Sequence, residues 1–145
     1  MEYKKDKRTK NLTLREIHVG DWVQCWDKIT ERYTPPEKIT AIFDDGTVYT
    51  VIDDEQGDPF EYDISEVDAL PITEELLKGF GIEAKEDVFG YYELYHNGEN
   101  IPCCSLDKNS NGELIISNRD VNYYHFFHEF IDSIPNNIKL EWKGV

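Results

Sequence analysis

The N-terminal half of the chain alternates apolar and polar residues in short runs, and residues that favour turns separate the runs. This period of two predicts β-strands at residues 22–26, 38–43, 48–52 and 60–64. Asp45-Gly46 favours a hairpin turn, because glycine readily adopts a positive φ. Pro35 and Pro36 indicate a loop, since proline cannot donate a hydrogen bond within a sheet. Strands this short and this close in sequence predict a small bent sheet or an SH3-like barrel.

The C-terminal half mixes helical and extended patterns. A short helix is predicted within residues 71–81, because Thr73 is a favoured N-cap and Gly81 suits the position after a helix. Strands are predicted at residues 89–95, 100–106 and 113–117. An aromatic stripe at helical spacing predicts a second helix over residues 122–134, which Pro135 ends. Residues 137–142 alternate as a final strand.

These elements predict an α+β fold. An N-terminal small SH3-like β-barrel or bent sheet is followed by a short linking helix and by a small antiparallel sheet packed with one amphipathic helix. Residues 1–11 are expected to form a flexible basic lead-in, and residues 12–68 the β-rich unit. Residues 69–145 are expected to form an α+β unit with a helix, three strands, a helix and a strand. We expect the two units to pack together as one compact body.

Negative charge is concentrated in the middle of the chain. The sequence has 30 acidic and 15 basic residues, which gives a formal net charge of −15. Residues 39–77 contain twelve acids and no lysine or arginine, whereas residues 1–11 carry a net charge of +3. This balance excludes an ordinary nucleic-acid binder, because neutralising phosphates requires lysine and arginine. The acidic segment is either a solubilising surface or a surface that meets a basic partner.

Several common targeting and cofactor signals are missing from the sequence. It has no apolar run of the roughly 18–20 residues that a membrane helix needs, and no signal-peptide core follows the charged start. Cys25, Cys103 and Cys104 are odd in number and lack C-x-x-C spacing, which favours reduced thiols. We therefore expect a cytoplasmic protein that contacts neither membranes nor nucleic acids. No cofactor and no catalytic residue is predicted, because no nucleotide-binding or nucleophile motif occurs.

Three stretches occur in a recognisable order: IHVGDWV at residues 17–23, ALPITEELLKGFG at residues 69–81, and the segment of residues 125–140. They resemble "LRIGNYV", "PIPLTEEWLLKFGF" and "VHQLQNLYFALTGEELEL" of a family of small uncharacterised proteins from Bacteroidetes genomes and their phages and mobile elements. The chain differs in the last motif, where His128 stands for glutamine. The resemblance implies a β-rich N-terminal unit, a linking helix, and a small sheet with a helix. It implies no activity and no site residues.

The last predicted helix carries a cluster of histidines. On a helical projection, His125, His128 and Asp132 lie on the face opposite the aromatic stripe. Histidine and carboxylate side chains bind zinc and similar metals, so these three residues are a candidate metal site. One helix supplies few ligands, and the alternative is therefore a solvated polar face.

Aromatic residues of the N-terminal unit indicate a contact surface. A unit of this size cannot bury every large ring, and rings left at the rim favour the binding of a peptide or protein. The alternative is that the rings pack in the core. The candidate partner-binding residues are two tryptophans and six acids: Trp22, Trp26, Asp44, Asp45, Asp53, Asp54, Glu55 and Asp58.

Three hypotheses of function follow from the sequence. The first is a non-catalytic, acidic interaction or accessory module that binds a protein partner, which the charge predicts to be basic. The second is a metal-dependent hydrolase that uses His125, His128 and Asp132. The third, which rests on the resemblance alone, is a structural component of a phage or mobile element. The missing catalytic motifs and the acidic segment favour the first hypothesis.

Overall fold

The computed structural model describes residues 9–86, 88, 92–101, 105–108, 112–117, 123–133 and 139–144. Within these residues the protein is a sheet-rich α+β structure with two short helices, which agrees with the predicted fold class. The chain divides into two compact units, Met1–Leu70 and Pro71–Val145. Cys103, Cys104 and residues 1–8 of the predicted lead-in lie outside the described residues. No helix in the described part of the chain is long and apolar enough to cross a membrane.

The N-terminal unit is an antiparallel sheet that curls back onto its own first strand. Its strands are β1 (Trp22–Asp27), β2 (Arg32–Tyr33), β3 (Glu37–Ile42), β4 (Thr47–Val51), β5 (Phe60–Asp63) and β6 (Val67–Asp68), with a 3₁₀ turn at Ile64–Glu66. The strand order is β2-β1-β3-β4-β5, and β6 pairs with β1. The four predicted strands are therefore confirmed, and the sheet is strongly bent.

The β3–β4 hairpin forms at the turn that the sequence predicts. Gly46 has a φ of 99°, the positive value that glycine adopts without strain. The Phe43 N–H donates to the carbonyl oxygen of Thr47 at 2.9 Å, and the Thr47 N–H donates to Oδ1 of Asp45 at 3.0 Å. These bonds close the hairpin and set the register of its two strands.

The chain that precedes β1 lies along β6. The Leu12 N–H donates to the carbonyl oxygen of Val67 at 2.9 Å, and the Ala69 N–H donates to that of Lys10 at 2.8 Å. The Thr9 N–H donates to the hydroxyl of Tyr33 at 2.6 Å. Residues 9–11 are thus held by hydrogen bonds, although the sequence assigns them to a flexible lead-in. Their partners lie some sixty residues away or on another strand, so no local pattern marks them.

The core of the N-terminal unit consists of the inward side chains of its strands. Val23, Cys25, Ile39, Val48 and Val67 are all fully buried. Each alternates with residues on the other side of its strand, as a two-faced sheet requires. Burial of an aliphatic side chain of this size stabilises a fold by roughly 1.5–3 kcal/mol.

The C-terminal unit contains two helices and two three-stranded antiparallel sheets in its described residues. The elements are α1 (Glu74–Gly79), β7 (Ile82–Glu86), β8 (Tyr92–His96), β9 (Glu99–Ile101), β10 (Ser105–Lys108), β11 (Leu114–Ser117), β12 (Tyr123–Tyr124) and α2 (Phe127–Ser133). One sheet has the order β7-β8-β9 and the other β10-β11-β12. The single small sheet that the sequence predicts is therefore two sheets.

Helix α1 begins and ends where the sequence predicts. Oγ1 of Thr73 accepts a hydrogen bond from the Leu76 N–H at 3.1 Å, which is the geometry of an N-cap. Gly81 has a φ of 75° just beyond the helix. The predicted apolar face is buried, and it consists of Leu76, Leu77 and Phe80.

Aromatic rings pack around the end of α1. The Phe80 ring stacks on the Phe127 ring with centroids 4.7 Å apart, and Trp142 meets Phe80 edge-to-face at 5.0 Å. The Lys143 N–H donates to the carbonyl oxygen of Gly79 at 2.8 Å. Residues 139–144 are therefore an irregular segment that packs on α1, and the prediction of a final strand is wrong over the described part of residues 137–142.

Helix α2 begins later than the sequence predicts. Tyr123 and Tyr124 form β12, whose partners lie on β11, so the helical prediction is wrong there. Oε1 of Glu129 accepts hydrogen bonds from the N–H groups of His125 at 3.1 Å and Phe126 at 3.3 Å. A glutamate at the third helical position that reaches back to the cap marks the true start. The aromatic spacing suited a helix, but pairing with β11 decides the conformation of this segment.

Strand β7 is absent from the sequence prediction. Only Ile82 of its five residues is buried, and the other four are exposed. A strand with one buried position lacks the alternation by which strands are recognised. Its existence depends on pairing with β8 along its whole length.

Candidate interaction surface

The six acids of the candidate partner site lie at two opposite ends of the N-terminal sheet. Asp44 and Asp45 occupy the β3–β4 turn. The loop between β4 and β5 holds the other four: Asp53, Asp54, Glu55 and Asp58. Successive turns of an antiparallel meander alternate between the two ends of a sheet, so β4, about 17 Å long, separates the two groups. The expectation of one acidic face is therefore corrected to two separate groups.

The β4–β5 loop uses part of its charge internally. The Glu55 N–H donates to Oδ1 of Asp53 at 2.9 Å. Nζ of Lys38 forms an ion pair with Oδ1 of Asp54 at 2.5 Å. These contacts order the loop and neutralise one of its carboxylates.

The β3–β4 turn adjoins the solvent-facing side of β3, β4 and β5, which we call the outer face. Tyr49 lies directly opposite Ala41 on one side and Glu61 on the other. Thr47 lies opposite Asp63 in the next row. Alternation of side chains then assigns six residues to the outer face: Ala41, Phe43, Thr47, Tyr49, Glu61 and Asp63.

Two aromatic rings lie on the outer face. Phe43 and Tyr49 meet edge-to-face with centroids 5.0 Å apart and an interplanar angle of 64°. Phe43 is 42% exposed, and Tyr49 is half-buried. An exposed aromatic pair offers a large, rigid contact area at a small entropic cost.

Carboxylates lie on two sides of this ring pair, on β5 and in the β3–β4 turn. Together the rings and the acids form what we call the Tyr49 patch: Phe43, Asp44, Asp45, Tyr49, Glu61 and Asp63. A hydrogen bond from the Thr47 N–H lowers the pKa of Asp45, and hydrogen bonds from Ser65 lower the pKa of Asp63. Both groups are therefore ionised at neutral pH. Among the described residues, no lysine or arginine forms an ion pair with the four acids.

The two tryptophans of the candidate partner site are core residues. Trp22 is 4% exposed and Trp26 is 8% exposed. The Trp26 ring meets the Tyr33 ring edge-to-face with centroids 4.8 Å apart. The expectation that these tryptophans form a rim surface is thus corrected in favour of the alternative that they pack in the core. The exposed rings of this unit include Phe43 and Phe60 instead.

The residues of the candidate metal site do not share one solvated helix face. His125 precedes α2 and is exposed, whereas His128 is only 4% exposed and lies nearly parallel to the Phe126 ring. Asp132 is exposed. The helical projection does not apply to His125, because α2 begins after it. Within the described part of the C-terminal unit, no three histidine, cysteine or carboxylate side chains converge on a common point.

A thiol and a carboxyl group are buried near each other in the N-terminal core, but they do not form a nucleophilic pair. Burial raises the pKa of the Cys25 thiol, and the charge of Glu37 raises it further. A reactive cysteine requires the thiolate, so Cys25 is an inert core residue. Glu37 accepts hydrogen bonds from Oγ1 of Thr50 at 2.6 Å and from the hydroxyl of Tyr62 at 3.4 Å.

One half of the Tyr49 patch has a signal in the sequence. The Asp45-Gly46 turn places Phe43 opposite Thr47, and counting outward by two then assigns Phe43 and Tyr49 to one face. No comparable signal identifies Glu61 and Asp63, because the β4–β5 loop is too long to imply a register. No protein-family model, no curated protein and no solved structure matches this chain.

Proposed function

We propose that the protein is a non-catalytic interaction module whose N-terminal unit binds a basic protein segment through the Tyr49 patch. The observation that carries the proposal is an exposed pair of rings on a sheet face, with carboxylates on the neighbouring strand and in the adjoining turn. Strands β4 and β5 carry no base, and Lys38 of β3 is already paired with Asp54. Complementary charge steers a basic partner, and the rings add apolar contact area.

The proposal includes an SH3-like barrel for the N-terminal unit. Support comes from the antiparallel meander, the 3₁₀ turn at Ile64–Glu66 and the return of β6 to β1. Asp63 is the N-cap of this turn, and its N–H donates to Oε1 of Glu66 at 2.9 Å. The cap thereby holds the end of β5 beside the patch. A cytoplasmic location and an accessory role in a mobile element belong to the same proposal and rest on sequence patterns alone.

Two charge-matched variants test the proposal with a fluorescent hexalysine peptide as the probe. The patch variant neutralises the four acids of the Tyr49 patch: Asp44→Asn, Asp45→Asn, Glu61→Gln and Asp63→Asn. The loop variant makes the same change in net charge at the other end of the sheet: Asp53→Asn, Asp54→Asn, Glu55→Gln and Asp58→Asn. Each exposed charge pair contributes roughly 0.2–1 kcal/mol, so we expect the patch variant to weaken binding about tenfold or more.

The loop variant is expected to weaken binding by no more than about twofold, because its acids lie away from the rings. Fluorescence anisotropy measures both affinities at one salt concentration, and circular dichroism checks that both variants are folded. Equal weakening by the two variants would reveal a general effect of net charge and overturn the patch as the binding site. A wild-type protein that does not bind the peptide would overturn the proposed function.

A further inference from the structure

We infer that the Tyr49 patch recognises an arginine side chain, which stacks on the Tyr49 ring and donates hydrogen bonds to Glu61 and Asp63. This inference rests on the proposed function and names the chemistry of its ligand. The occupant is an extended, arginine-bearing segment of a basic protein.

In the register of the sheet, Tyr49 has an aromatic residue diagonally across on β3 and a carboxylate diagonally across on β5. Its direct neighbours are Ala41 on β3 and Glu61 on β5. Its diagonal neighbours, two residues further along the same strands, are Phe43 and Asp63. Diagonal neighbours on one sheet face lie within reach of long and aromatic side chains. Ala41 offers only a methyl group beside the Tyr49 ring, which is half-buried and meets Phe43 edge-to-face.

The acceptors on β5 match the width of a guanidinium group. Glu61 and Asp63 are two residues apart on one strand face, which separates their Cα atoms by about 6.8 Å. Oδ2 of Asp63 accepts from the Ser65 N–H at 2.9 Å, and Oδ1 lies at the turn beside Gly46. Glu61 is exposed, and no described residue forms an ion pair with it. A planar group with five donors can bond to both carboxylates at once.

The C-terminal unit contains the same local arrangement with a cation of its own. Tyr95 lies opposite Glu83 on β7, and Lys85 is the diagonal neighbour two residues further on. Nζ of Lys85 lies 5.0 Å from the centroid of the Tyr95 ring. Relative to Tyr49, Asp63 has the register position that Lys85 has relative to Tyr95. The C-terminal unit therefore shows that a cation two positions along a flanking strand can reach a tyrosine ring.

Arginine suits the patch better than lysine does. Its guanidinium is planar and weakly hydrated, so it stacks on an aromatic face and bonds to carboxylates through fixed donors. The lysine ammonium is a compact, strongly hydrated charge, which gains less from a half-exposed ring. The Tyr49 patch offers a ring and two carboxylates together, and only arginine uses all three.

The test compares a short glycine–arginine peptide with a glycine–lysine peptide of equal length and charge, each titrated into the isotope-labelled 145-residue chain by NMR. We expect wild-type protein to bind the arginine peptide about five- to tenfold more tightly, with the largest amide shifts at Phe43, Tyr49 and Glu61. Tyr49→Leu is expected to remove the preference, whereas Tyr49→Phe keeps the ring and retains it. Tyr95→Leu is the matched control in the other unit and leaves the preference unchanged.

The outcomes separate this inference from the proposed function. If both peptides bind with equal affinity and the four-acid patch variant loses both, the patch binds basic segments and the arginine inference is overturned. A preference that survives Tyr49→Leu in folded protein also overturns it. If neither peptide binds to wild-type protein, the proposed function fails and the inference fails with it.

Discussion

Tyr49 in the N-terminal unit and Tyr95 in the C-terminal unit each lie on a strand that has a neighbouring strand on both sides. Each has a glutamate directly opposite on one neighbouring strand, and the residue two positions beyond that glutamate lies diagonally across from the tyrosine. At Tyr95 that neighbour is Lys85, which covers the ring, and the Tyr95 hydroxyl donates to Oε2 of Glu93 at 2.6 Å. At Tyr49 the neighbour is Asp63, and no described residue supplies a cation to the ring.

This difference follows from how charge is distributed along the chain. Residues 39–77 include β4 and β5 and contain no base, so neither strand can offer the Tyr49 ring a cation. Strand β7, in contrast, contains Lys85, whose ammonium group lies over the Tyr95 ring. The C-terminal unit therefore supplies a cation to its tyrosine ring from its own strand, whereas β4 and β5 of the N-terminal unit supply none. Removing the internal cation, or adding one, tests whether this contrast determines binding.

The largest expected effect is on the stability of the C-terminal unit, which contains Tyr95. A Cβ atom on Gly79 would overlap the ring of Trp142, although alanine ordinarily stabilises a helix relative to glycine. We expect Gly79→Ala to lower the free energy of unfolding by about 1–3 kcal/mol through overpacking. Urea unfolding followed by near-UV circular dichroism measures it. Gly57→Ala is the control, since a Cβ there meets nothing within 4 Å. A stabilised Gly79→Ala variant would contradict the packing of Trp142 on α1.

Asp63→Lys places a base two positions beyond Glu61, as Lys85 lies two positions beyond Glu83. The substitution removes an acceptor, repels a cationic ligand and places a long side chain diagonally across from the ring. We expect the arginine peptide to bind more than about tenfold more weakly, measured by NMR titration. Asp58→Lys makes the same change in charge in the distant loop and is expected to have a much smaller effect.

Asp63 also caps the 3₁₀ turn, and loss of a cap costs about 1 kcal/mol. Asp63→Asn keeps a capping oxygen but loses the charge, so its affinity is expected to lie between those of wild type and Asp63→Lys. If Asp63→Asn binds as weakly as Asp63→Lys, the loss arises from the charge of Asp63 alone and not from a covered ring.

Lys85→Gln makes the converse change in the C-terminal unit. Loss of an exposed cation–π contact is expected to lower stability by about 0.5–1 kcal/mol. The uncovered Tyr95 ring, with Glu83 and Glu93 beside it, then becomes a second and weaker site for the arginine peptide. New peptide-dependent shifts at β7 and β8 would reveal this site in an NMR titration. Their absence would mean that a tyrosine flanked by carboxylates is insufficient and that Phe43 is essential to the first site.

The smallest expected effect is a pH-dependent change in stability when a buried carboxyl group of the N-terminal sheet is replaced. An exposed carboxyl group of the same sheet is the control. Burial raises the pKa of Glu37, so this carboxyl group binds a proton more readily in the folded protein than in the unfolded chain. Its contribution to stability is full below the unfolded pKa of about 4.3 and is lost as pH rises through the higher folded value. Glu37→Gln is therefore expected to gain stability relative to wild type at neutral pH and to lose that advantage near pH 4. Thermal unfolding at both pH values measures it, and exposed Glu61→Gln serves as the control. An equal advantage at both pH values would contradict the raised pKa.

Sequence patterns predicted the parts of the fold that depend on neighbours along the chain. The Asp45-Gly46 turn, the Thr73 cap and the apolar face of α1 all involve residues within a few positions of one another. The predictions failed where distant pairing overrides local preference. Tyr123 and Tyr124 follow a helical spacing, yet β11 holds them as a strand, and β7 exists through β8 although it buries one side chain.

The candidate site shows the same division. Its ingredients, a base-free acidic segment with interspersed aromatic residues, are evident in the sequence. Their grouping is not, because the β4–β5 loop does not specify which residue of β5 faces Tyr49. The tryptophans that the sequence favours are buried instead, and the Trp26 ring packs against Tyr33 of the neighbouring strand.

By itself, the sequence determined the charge, the turns, the first helix and the absence of a base from residues 39–77, because each is a property of residues close together in the chain. Only the tertiary structure decided that Asp44 and Asp53 lie at opposite ends of a sheet, and that Phe43, Tyr49 and Asp63 lie side by side. The physical reason is that antiparallel register is set by hydrogen bonds between strands. A shift of one residue would move every side chain of β5 to the other face.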